Sequence, residues 1–164
     1  MIRTDKLPLS NDWAKYMGIR HDVTWQCSDA EDVSRHLSSL HEPQTKRTFY
    51  TFISNSEEHD KAGEHWNAWV VSGSTVTFFD SFSRDPRHKH FPRHYTEFIK
   101  KFDKVNFVSK RVQSTKSTYC GLFCMHFIYI MSLGLDVNSF LEDYSSNYDK
   151  NDDAVVGITQ GFFF

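Results

Sequence analysis

The alternation of apolar and polar positions predicts a small β-sheet in the middle of the chain. Residues 47–54 are aromatic and β-branched without a helical period, which is typical of a strand. Two more apolar runs, at 66–71 and 75–80, are separated by a Ser-Gly-Ser segment and predict a β-hairpin. Residues 105–112 alternate well enough to predict a further strand.

Helical periodicity predicts helices on either side of these strands. A capping-box pattern followed by apolar residues at helical intervals predicts a helix over 29–40, and Pro92 opens a second amphipathic stretch. The run 120–133 is apolar on nearly all sides and too long for one strand, so a buried central helix is expected there. A last helix or two are expected within 137–164. This order of elements indicates an α+β fold with a small mixed sheet and a buried central helix.

Length and composition favour a single folded unit. The 164 residues, 39% hydrophobic and 16% aromatic, can bury one core, so one domain over 1–164 is expected and a disordered binding segment is excluded. The sequence lacks a run of about 18 apolar residues and an N-terminal secretory signal, so neither membrane insertion nor export is expected. Three cysteines are too few, and odd in number, for a disulfide framework, which favours reduced thiols in an intracellular compartment.

Charge is distributed unevenly along the sequence. Residues 84–111 contain nine Lys or Arg against three acidic residues, a local charge of +6, whereas the rest of the chain carries −8 and the whole chain −2. Such a segment can bind a polyanion, or it can be an ordinary solvated helix with its loops. The candidate nucleic-acid contacts are Arg87, Lys89, Arg93, Lys100 and Lys101.

Cys120 has the sequence context of a nucleophilic thiolate. It lies at the predicted start of the buried helix, after a polar loop, where the helix dipole and free backbone N–H groups stabilise an anion. Gly121 beside it permits close approach of a substrate backbone. The alternative is a pair of cysteines buried for packing; Cys124, one turn inside the apolar helix, fits it, whereas Cys120 at the polar boundary does not.

His65 and Asp80 lie at one end of the predicted hairpin and can act on that thiol as base and orienting acid. With a two-residue loop at Ser72-Gly73 they form a direct cross-strand pair, and with a longer turn they are diagonal neighbours. A carboxylate there fixes the tautomer and orientation of the imidazole, as in triad hydrolases. An exposed ion pair at a hairpin end is the alternative.

Gln113 is a candidate donor to the oxyanion that forms on an attacked carbonyl. It ends the last predicted strand, seven residues before Cys120. Its side-chain amide can donate a hydrogen bond there alongside the backbone N–H of Cys120. A glutamine in a polar loop does not by itself indicate an oxyanion donor.

Together these residues resemble the adenovirus endopeptidase (adenain), within the wider clan that includes the ubiquitin-like-protein proteases. The resemblance rests on His65-Trp66, on FFDSF around Asp80, and above all on VQSTKSTYCGLFC at 112–124, and it covers roughly residues 49–133. It implies the α+β fold whose central helix carries the nucleophile. The roles that it implies are nucleophile for Cys120, base for His65, orienting acid for Asp80, oxyanion donor for Gln113, and substrate contacts for Trp66 and Gly121.

The same resemblance implies a viral or virus-like source and a cysteine endopeptidase that cleaves viral precursor proteins beside glycine during virion maturation. A monomer in the host nucleus or cytoplasm and in the virion is then expected, with DNA as an activator and no required metal. Adenain usually has Glu where this chain has Asp80, but either carboxylate can orient a histidine. Because residues 79–119 contain no cysteine, the disulfide-linked activating peptide of adenain is not expected unless it uses Cys27.

Two other functions fit parts of the sequence. A deubiquitinase or deSUMOylase uses the same chemistry, although the seven-residue step from Gln113 to Cys120 is closer to adenain. A non-catalytic nucleic-acid-binding module would explain the basic segment but would leave the four candidate catalytic residues unexplained.

Overall fold

The computed structural model describes residues 49–56 and 65–160. The helix predicted over 29–40 and Cys27 lie outside the described residues. In chain order the elements are β1 (Phe49–Asn55), β2 (Trp66–Ser72), β3 (Thr75–Phe79), α1 (Arg93–Ile99), β4 (Lys104–Phe107), α2 (Cys120–Ser132), α3 (Val137–Leu141) and α4 (Tyr148–Gln160). This is the predicted α+β architecture, with a four-stranded mixed sheet and a central helix.

The four strands form one sheet in the order β1-β2-β3-β4. β1, β2 and β3 are antiparallel neighbours, and β4 joins β3 in parallel after the crossover through α1. β2 is buried from Trp66 to Val71, which explains why its sequence is apolar almost throughout instead of alternating. The strands predicted over 66–71 and 75–80 are therefore confirmed, and so is the strand predicted over 47–54 from Phe49 onwards; residues 47 and 48 lie outside the described residues.

The hairpin turn is displaced by one residue from the predicted turn. Ser72 pairs with Thr75, so the two-residue loop is Gly73-Ser74 and not Ser72-Gly73. Gly73 has a φ of 58°, a left-handed conformation that glycine adopts without a steric penalty. The glycine therefore takes the first position of the loop.

The register also changes how the candidate base and acid face each other. Continuing the pairing of Ala68 with Phe79 by one step places Asp80 opposite Asn67, so the direct cross-strand pair predicted for His65 and Asp80 is wrong. The two residues are diagonal neighbours, as expected for a longer turn, although the turn here is a displaced two-residue loop. Because the pairing shifts by two residues, both side chains stay on one face of the sheet and within reach.

β4 is shorter than predicted. It spans Lys104–Phe107, whereas the alternation predicted a strand over 105–112. β3 ends at Phe79 and the chain then turns, so the segment after β4 has no continuous strand to pair with. Isolated hydrogen bonds to the end of β3 and to the following turn take its place. The later part of the predicted strand is therefore loop.

Aromatic rings fill the core between the sheet and the helices. Trp69 lies against Phe78 and Tyr95, with ring centroids 4.5 and 5.0 Å apart. Phe79 of β3 stacks on Phe127 of α2 at 4.8 Å. Rings of this size bury large apolar areas and prefer tilted or offset contacts, so they fix how α1 and α2 sit on the sheet.

The helices predicted in the second half of the chain are confirmed. α1 starts directly after Pro92. α2 is buried from Cys120 to Ile128 and packs on β1, β2, α3 and α4. Within the part of the chain that the structure describes, no helix combines the length and apolarity needed to cross a membrane.

His126 on α2 is a buried histidine that should make stability depend on pH. Its Nδ1 shares a hydrogen bond of 2.6 Å with the Tyr144 hydroxyl. Burial lowers the pKa of His126 to about 4, against a smaller opposing effect of Asp143. An unfolded chain takes up this proton near pH 6.5 and the folded chain only near pH 4. The free energy of unfolding should therefore fall as the pH drops through that window, by up to about 3 kcal/mol.

Denaturant titrations of the wild type and of His126→Gln test this expectation. Glutamine cannot take up the proton, so the variant should lose less stability between pH 7 and pH 4.5, relative to its own value at pH 7. Equal losses in the two proteins would show that His126 does not take up a proton on unfolding.

Candidate active site

Cys120 is the first residue of the central helix. It is buried, with 3% of its surface exposed. The N–H groups of a first helical turn have no intrahelical partners and carry the positive end of the helix dipole, which stabilises a thiolate at this position. Cys124 lies one turn further along and is completely buried. Both are free cysteines.

His65 lies directly before β2, where it contacts both the candidate acid and the candidate nucleophile. Its carbonyl oxygen accepts a hydrogen bond from the Ser56 N–H at 3.0 Å, which anchors it to the end of β1. Nε2 is hydrogen-bonded to Asp80 Oδ1, which leaves Nδ1 available to the Cys120 thiol, a neighbour that raises the pKa of this imidazole. Phe82 stacks on the imidazole, with ring centroids 5.4 Å apart. The ring is thus fixed in orientation.

These contacts favour the protonated imidazole. Burial lowers the pKa of His65, but hydrogen bonds and charge interactions with Asp80 and Cys120 outweigh that effect and raise the pKa to about 9. An imidazolium stabilises a neighbouring thiolate by direct charge attraction. The arrangement can therefore hold the ion pair that a cysteine nucleophile requires.

Asp80 is completely buried and receives hydrogen bonds on both oxygens. Besides the His65 bond, Oδ1 accepts from Asn67 Nδ2 at 3.2 Å. Oδ2 accepts from the backbone N–H and the Nε of Arg84, at 3.1 and 2.8 Å. Burial raises the pKa of this carboxyl, but the contacts with His65 and Arg84 outweigh it and hold the pKa below its usual value. Asp80 is therefore a carboxylate at neutral pH, able to orient the imidazole.

Arg84 is a residue of this site that sequence reasoning missed, because it was counted with the basic segment. Its guanidinium lies over the Phe91 ring at 4.8 Å, and its Nε is bonded to Asp80. The tight loop that brings it back contains Ser83, which has a φ of 63° and donates its N–H to the Asp80 carbonyl oxygen at 2.8 Å. Asp80 and Arg84 are four positions apart, a spacing at which opposite charges form ion pairs along a helix. Because these residues were not predicted to be helical, the spacing did not predict their contact.

A series of buried hydrogen bonds ties Asp80 to the core. Asn67 donates to Asp80 and accepts from the Tyr95 hydroxyl at 3.2 Å. That hydroxyl lies 2.8 Å from Ser54 Oγ, which accepts from Trp69 Nε1 at 2.9 Å. Burial raises the pKa of Tyr95, so it stays a phenol. A buried polar network in which each member is satisfied is rigid, and it holds the carboxylate in one position.

Gln113 lies close to this network, and its amide is engaged within its own loop. It is 1% exposed. Its backbone N–H donates to the Ser81 carbonyl oxygen at 3.2 Å, and its Oε1 accepts from the Ser81 hydroxyl. Its Nε2 donates to the carbonyl oxygen and to the hydroxyl of Ser117, both at 2.9 Å. Since Ser81 directly follows Asp80, the candidate oxyanion donor is anchored beside the candidate acid; the sequence did not single out either serine.

Both candidate substrate contacts are buried. Trp66 begins β2 beside His65 and is 3% exposed. Its indole N–H has no hydrogen-bond partner among the residues that the structure describes. Gly121 is the second residue of α2 and is buried as well. Their role in binding substrate stays a prediction.

The predicted nucleic-acid contacts lie in α1 and in the loops beside it. Arg87 pairs with Asp85 at 3.1 Å and Arg93 pairs with Glu97 at 2.9 Å, at the surface. The lysines of the segment are exposed: Lys89, Lys100, Lys101, Lys104 and Lys110. Two of the three acidic residues are thus already neutralised by arginines, and the lysines provide the exposed positive charge.

Comparison with known proteins gives structural relatives but no sequence relatives. No family model matches the chain, and no curated protein matches its sequence significantly. The Chlamydia abortus effector protein ChlaDUB resembles it with a TM-score of 0.52 and 13% identity, over 90% of this chain and 87% of ChlaDUB. The two proteins share a fold.

Two further structures resemble the chain more distantly. SUMO protease Ulp1, in a form whose catalytic cysteine is oxidised to a sulfinic acid, has a TM-score of 0.48 and 12% identity, over 93% of this chain and 76% of that chain. The ASFV pS273R protease has a TM-score of 0.45 and 17% identity, over 65% of this chain. The chain spans 42% of the length of pS273R.

Proposed function

We propose that this chain is a cysteine endopeptidase in which Cys120 attacks the carbonyl carbon of a peptide bond. The observation that carries the proposal is the buried contact of His65 with both Cys120 and Asp80 at the start of the central helix. A nucleophile, a base within bonding distance and a group that orients the base are what covalent hydrolysis requires.

Acylation would start from the thiolate and the imidazolium. The thiolate of Cys120 attacks the carbonyl carbon, the electron pair of the C=O bond moves to oxygen, and the oxyanion accepts a hydrogen bond from the Cys120 backbone N–H. His65 then gives its Nδ1 proton to the leaving amine as the C–N bond breaks, which leaves a thioester on Cys120. Asp80 keeps hold of Nε2 and so keeps Nδ1 directed at the reacting atoms.

Deacylation would use the same groups. Neutral His65 takes a proton from water at Nδ1, the oxygen of that water attacks the thioester carbonyl, and Cys120 leaves as a thiolate. Gln113 supplies the second donor to the oxyanion in both steps, once one of its amide hydrogens turns from Ser117 to the oxyanion.

The proposed substrates are viral precursor proteins, cleaved beside glycine during virion maturation inside the host cell and the particle. Support comes from the block VQSTKSTYCGLFC at 112–124 and from the order His, acid, Gln, Cys, both of which resemble adenain. A glycine at the cleaved bond also suits a nucleophile that is only 3% exposed. A residue without a side chain lets the peptide backbone come close to it.

Turnover of a fluorogenic panel tests the proposal, with Cys120→Ala as the inactive control. Glycine-containing peptides should be cleaved faster than ubiquitin and SUMO conjugates. A preference for the conjugates would favour the deubiquitinase or deSUMOylase function, which uses the same residues. If nothing in the panel is cleaved, the proposed endopeptidase function is wrong, whether or not iodoacetamide alkylates Cys120.

An accessory role in binding DNA or RNA without sequence preference is proposed for the basic segment. Because Asp85 and Glu97 are paired with arginines, the positive charge of the exposed lysines in the segment is left largely unbalanced. Such exposed positive charge gains affinity by releasing counterions from phosphates. DNA would then act as an activator by holding the protease near packaged precursors.

Fluorescence anisotropy with a duplex oligonucleotide across a salt series tests this role. Affinity should fall steeply with salt. Changing Lys89, Lys100 and Lys101 to Gln should weaken binding and make the log–log slope shallower by about 0.9 for each phosphate that is no longer neutralised. Changing Lys116 and Lys150, exposed lysines outside the segment, to Gln is the matched control and should have little effect. Absence of binding at low salt would leave the segment a solvated surface.

A further inference from the structure

The amide of Gln113 is held by a loop that α4 fixes in place. Both of its amide hydrogens are engaged by Ser117, and Ser117 Oγ lies 3.2 Å from Asp152 Oδ1 on α4. The same carboxylate oxygen accepts the N–H of Ser114 at 3.3 Å. Asp152 is 7% exposed. One buried carboxylate oxygen therefore joins two points of the loop that runs from the candidate oxyanion donor to Cys120.

The neighbouring residue Asn151 secures the start of the same loop. Its Nδ2 donates to the carbonyl oxygens of Val112 and Ser145, at 3.0 and 2.8 Å, and its Oδ1 accepts the Ser145 N–H at 2.8 Å. These bonds hold the loop against α4 without involving Asp152. Asn151 thus holds the start of the loop in place independently of Asp152. The hydrogen bonds of Asp152 to Ser114 and Ser117 are therefore not needed for that purpose.

The chemistry of the groups sets the direction of the hydrogen bonds from Gln113 to Asp152. A carboxylate only accepts, so the Ser117 hydroxyl donates to Asp152 and turns its lone pairs to Gln113. The Ser117 carbonyl oxygen also only accepts. Gln113 must therefore present its nitrogen, and not its oxygen, to Ser117, three residues before Cys120.

We propose that Asp152 is a positioning residue for the oxyanion hole, which acts through Ser117 to keep the donor end of the Gln113 amide turned towards the nucleophile. This inference rests on the proposed cysteine endopeptidase function. Without Asp152 the Ser117 hydroxyl can rotate and donate to Gln113. Only the Ser117 carbonyl oxygen and the Ser81 hydroxyl then favour the present orientation, and the amide turns its oxygen to the Ser117 side more often. A carbonyl oxygen there repels the oxyanion instead of stabilising it.

The test compares kcat for Asp152→Ala in the wild-type and Gln113→Ala backgrounds, on the fluorogenic substrate that the wild type cleaves fastest. In the wild-type background, kcat should fall about tenfold, the size of one net hydrogen bond, with little change in KM. In the Gln113→Ala background Asp152→Ala should have no further effect, because the donor that it positions is gone. Asp152→Asn, which keeps an acceptor oxygen, should recover most of kcat.

Controls separate positioning from a general effect on charge or folding. Asp153→Ala removes the same charge from an exposed neighbour on α4 and should leave kcat unchanged. Alkylation of Cys120 by iodoacetamide needs no oxyanion donor, so its rate should be the same in Asp152→Ala and in the wild type. If Asp152→Ala does not fold, Asp152→Leu removes the same acceptor with a side chain of similar shape and carries the same expectations.

Several results would overturn the inference. They are slower alkylation in Asp152→Ala, an equal loss of kcat in both backgrounds, or a kcat indistinguishable from that of Asp153→Ala. A wild type that is alkylated at Cys120 but cleaves no substrate in the panel would contradict the proposed function itself, and the inference with it.

Discussion

Replacing Cys120 with alanine should abolish peptide hydrolysis and leave the protein folded. Loss of the nucleophile from a triad enzyme lowers kcat by roughly 10⁴-fold or more. The change removes one sulfur atom at a helix start and none of the hydrogen bonds between Asp80 and its neighbours. The measurements are kcat on the best substrate and the thermal unfolding midpoint, which should stay close to that of the wild type.

Cys124→Ala is the matched control for that experiment. Burial, together with the charges of Cys120 and Asp80, raises the pKa of Cys124 and keeps it a thiol. Its replacement should preserve kcat but lower the free energy of unfolding by about 1 kcal/mol or more, through poorer packing of the core. Peptide mapping after iodoacetamide treatment should find the label on Cys120 and not on Cys124. Equal loss of activity in both variants without unfolding would refute Cys120 as the sole nucleophile.

His65→Ala should have the second largest effect. Turnover should fall by roughly 10⁴-fold or more, since both proton transfers pass through this imidazole. Alkylation of Cys120 at pH 7 should slow as well, because the thiolate loses its imidazolium partner. Asp80→Asn should lower kcat less, because the carboxylate only holds the imidazole. An alkylation rate unaffected by His65→Ala would show that this residue does not activate the thiol.

The contact of His65 with Asp80 should also set the pH above which the rate of amide hydrolysis by the wild type declines. The pKa of His65 is raised to about 9, so amide hydrolysis should decline above that pH, where the proton for the leaving amine is lost. The hydrogen bond that His65 donates to the Asp80 carboxylate is the largest influence that raises this pKa. Asp80→Asn should therefore move this decline to lower pH. A decline that stays in place would mean that Asp80 does not control the protonation of His65.

The parts of the site that the sequence predicted are those encoded by local patterns. Cys120 could be selected because it lies where a polar loop meets an apolar run, and α2 begins at that residue. The nearness of His65 and Asp80 followed from the hairpin. The turn was misplaced by one residue, but such an error moves cross-strand partners by two positions and keeps each side chain on its face.

The parts that the sequence did not predict depend on contacts between distant segments. Asp152 reaches Ser117 from 35 positions further along the chain, and its helix carries other acidic residues with the same local appearance. Only the packing of α4 against the loop selects it. The sequence shows the charge of Arg84, which places it in the basic segment, but it does not show the turn that directs Arg84 onto Asp80.

The hydrogen bonds that converge on Asp80 also decide which inactive form of the protein would be most useful as a reagent. Active-site groups often lower the stability of a protein, so inactive variants frequently have a higher free energy of unfolding than the wild type. Asp80→Ala should do the opposite, because it would leave the buried Asn67 donor and the half-buried Arg84 donor without their acceptor. A substrate trap that must survive purification and capture uncleaved partners should therefore be made by changing Cys120 and should leave Asp80 intact.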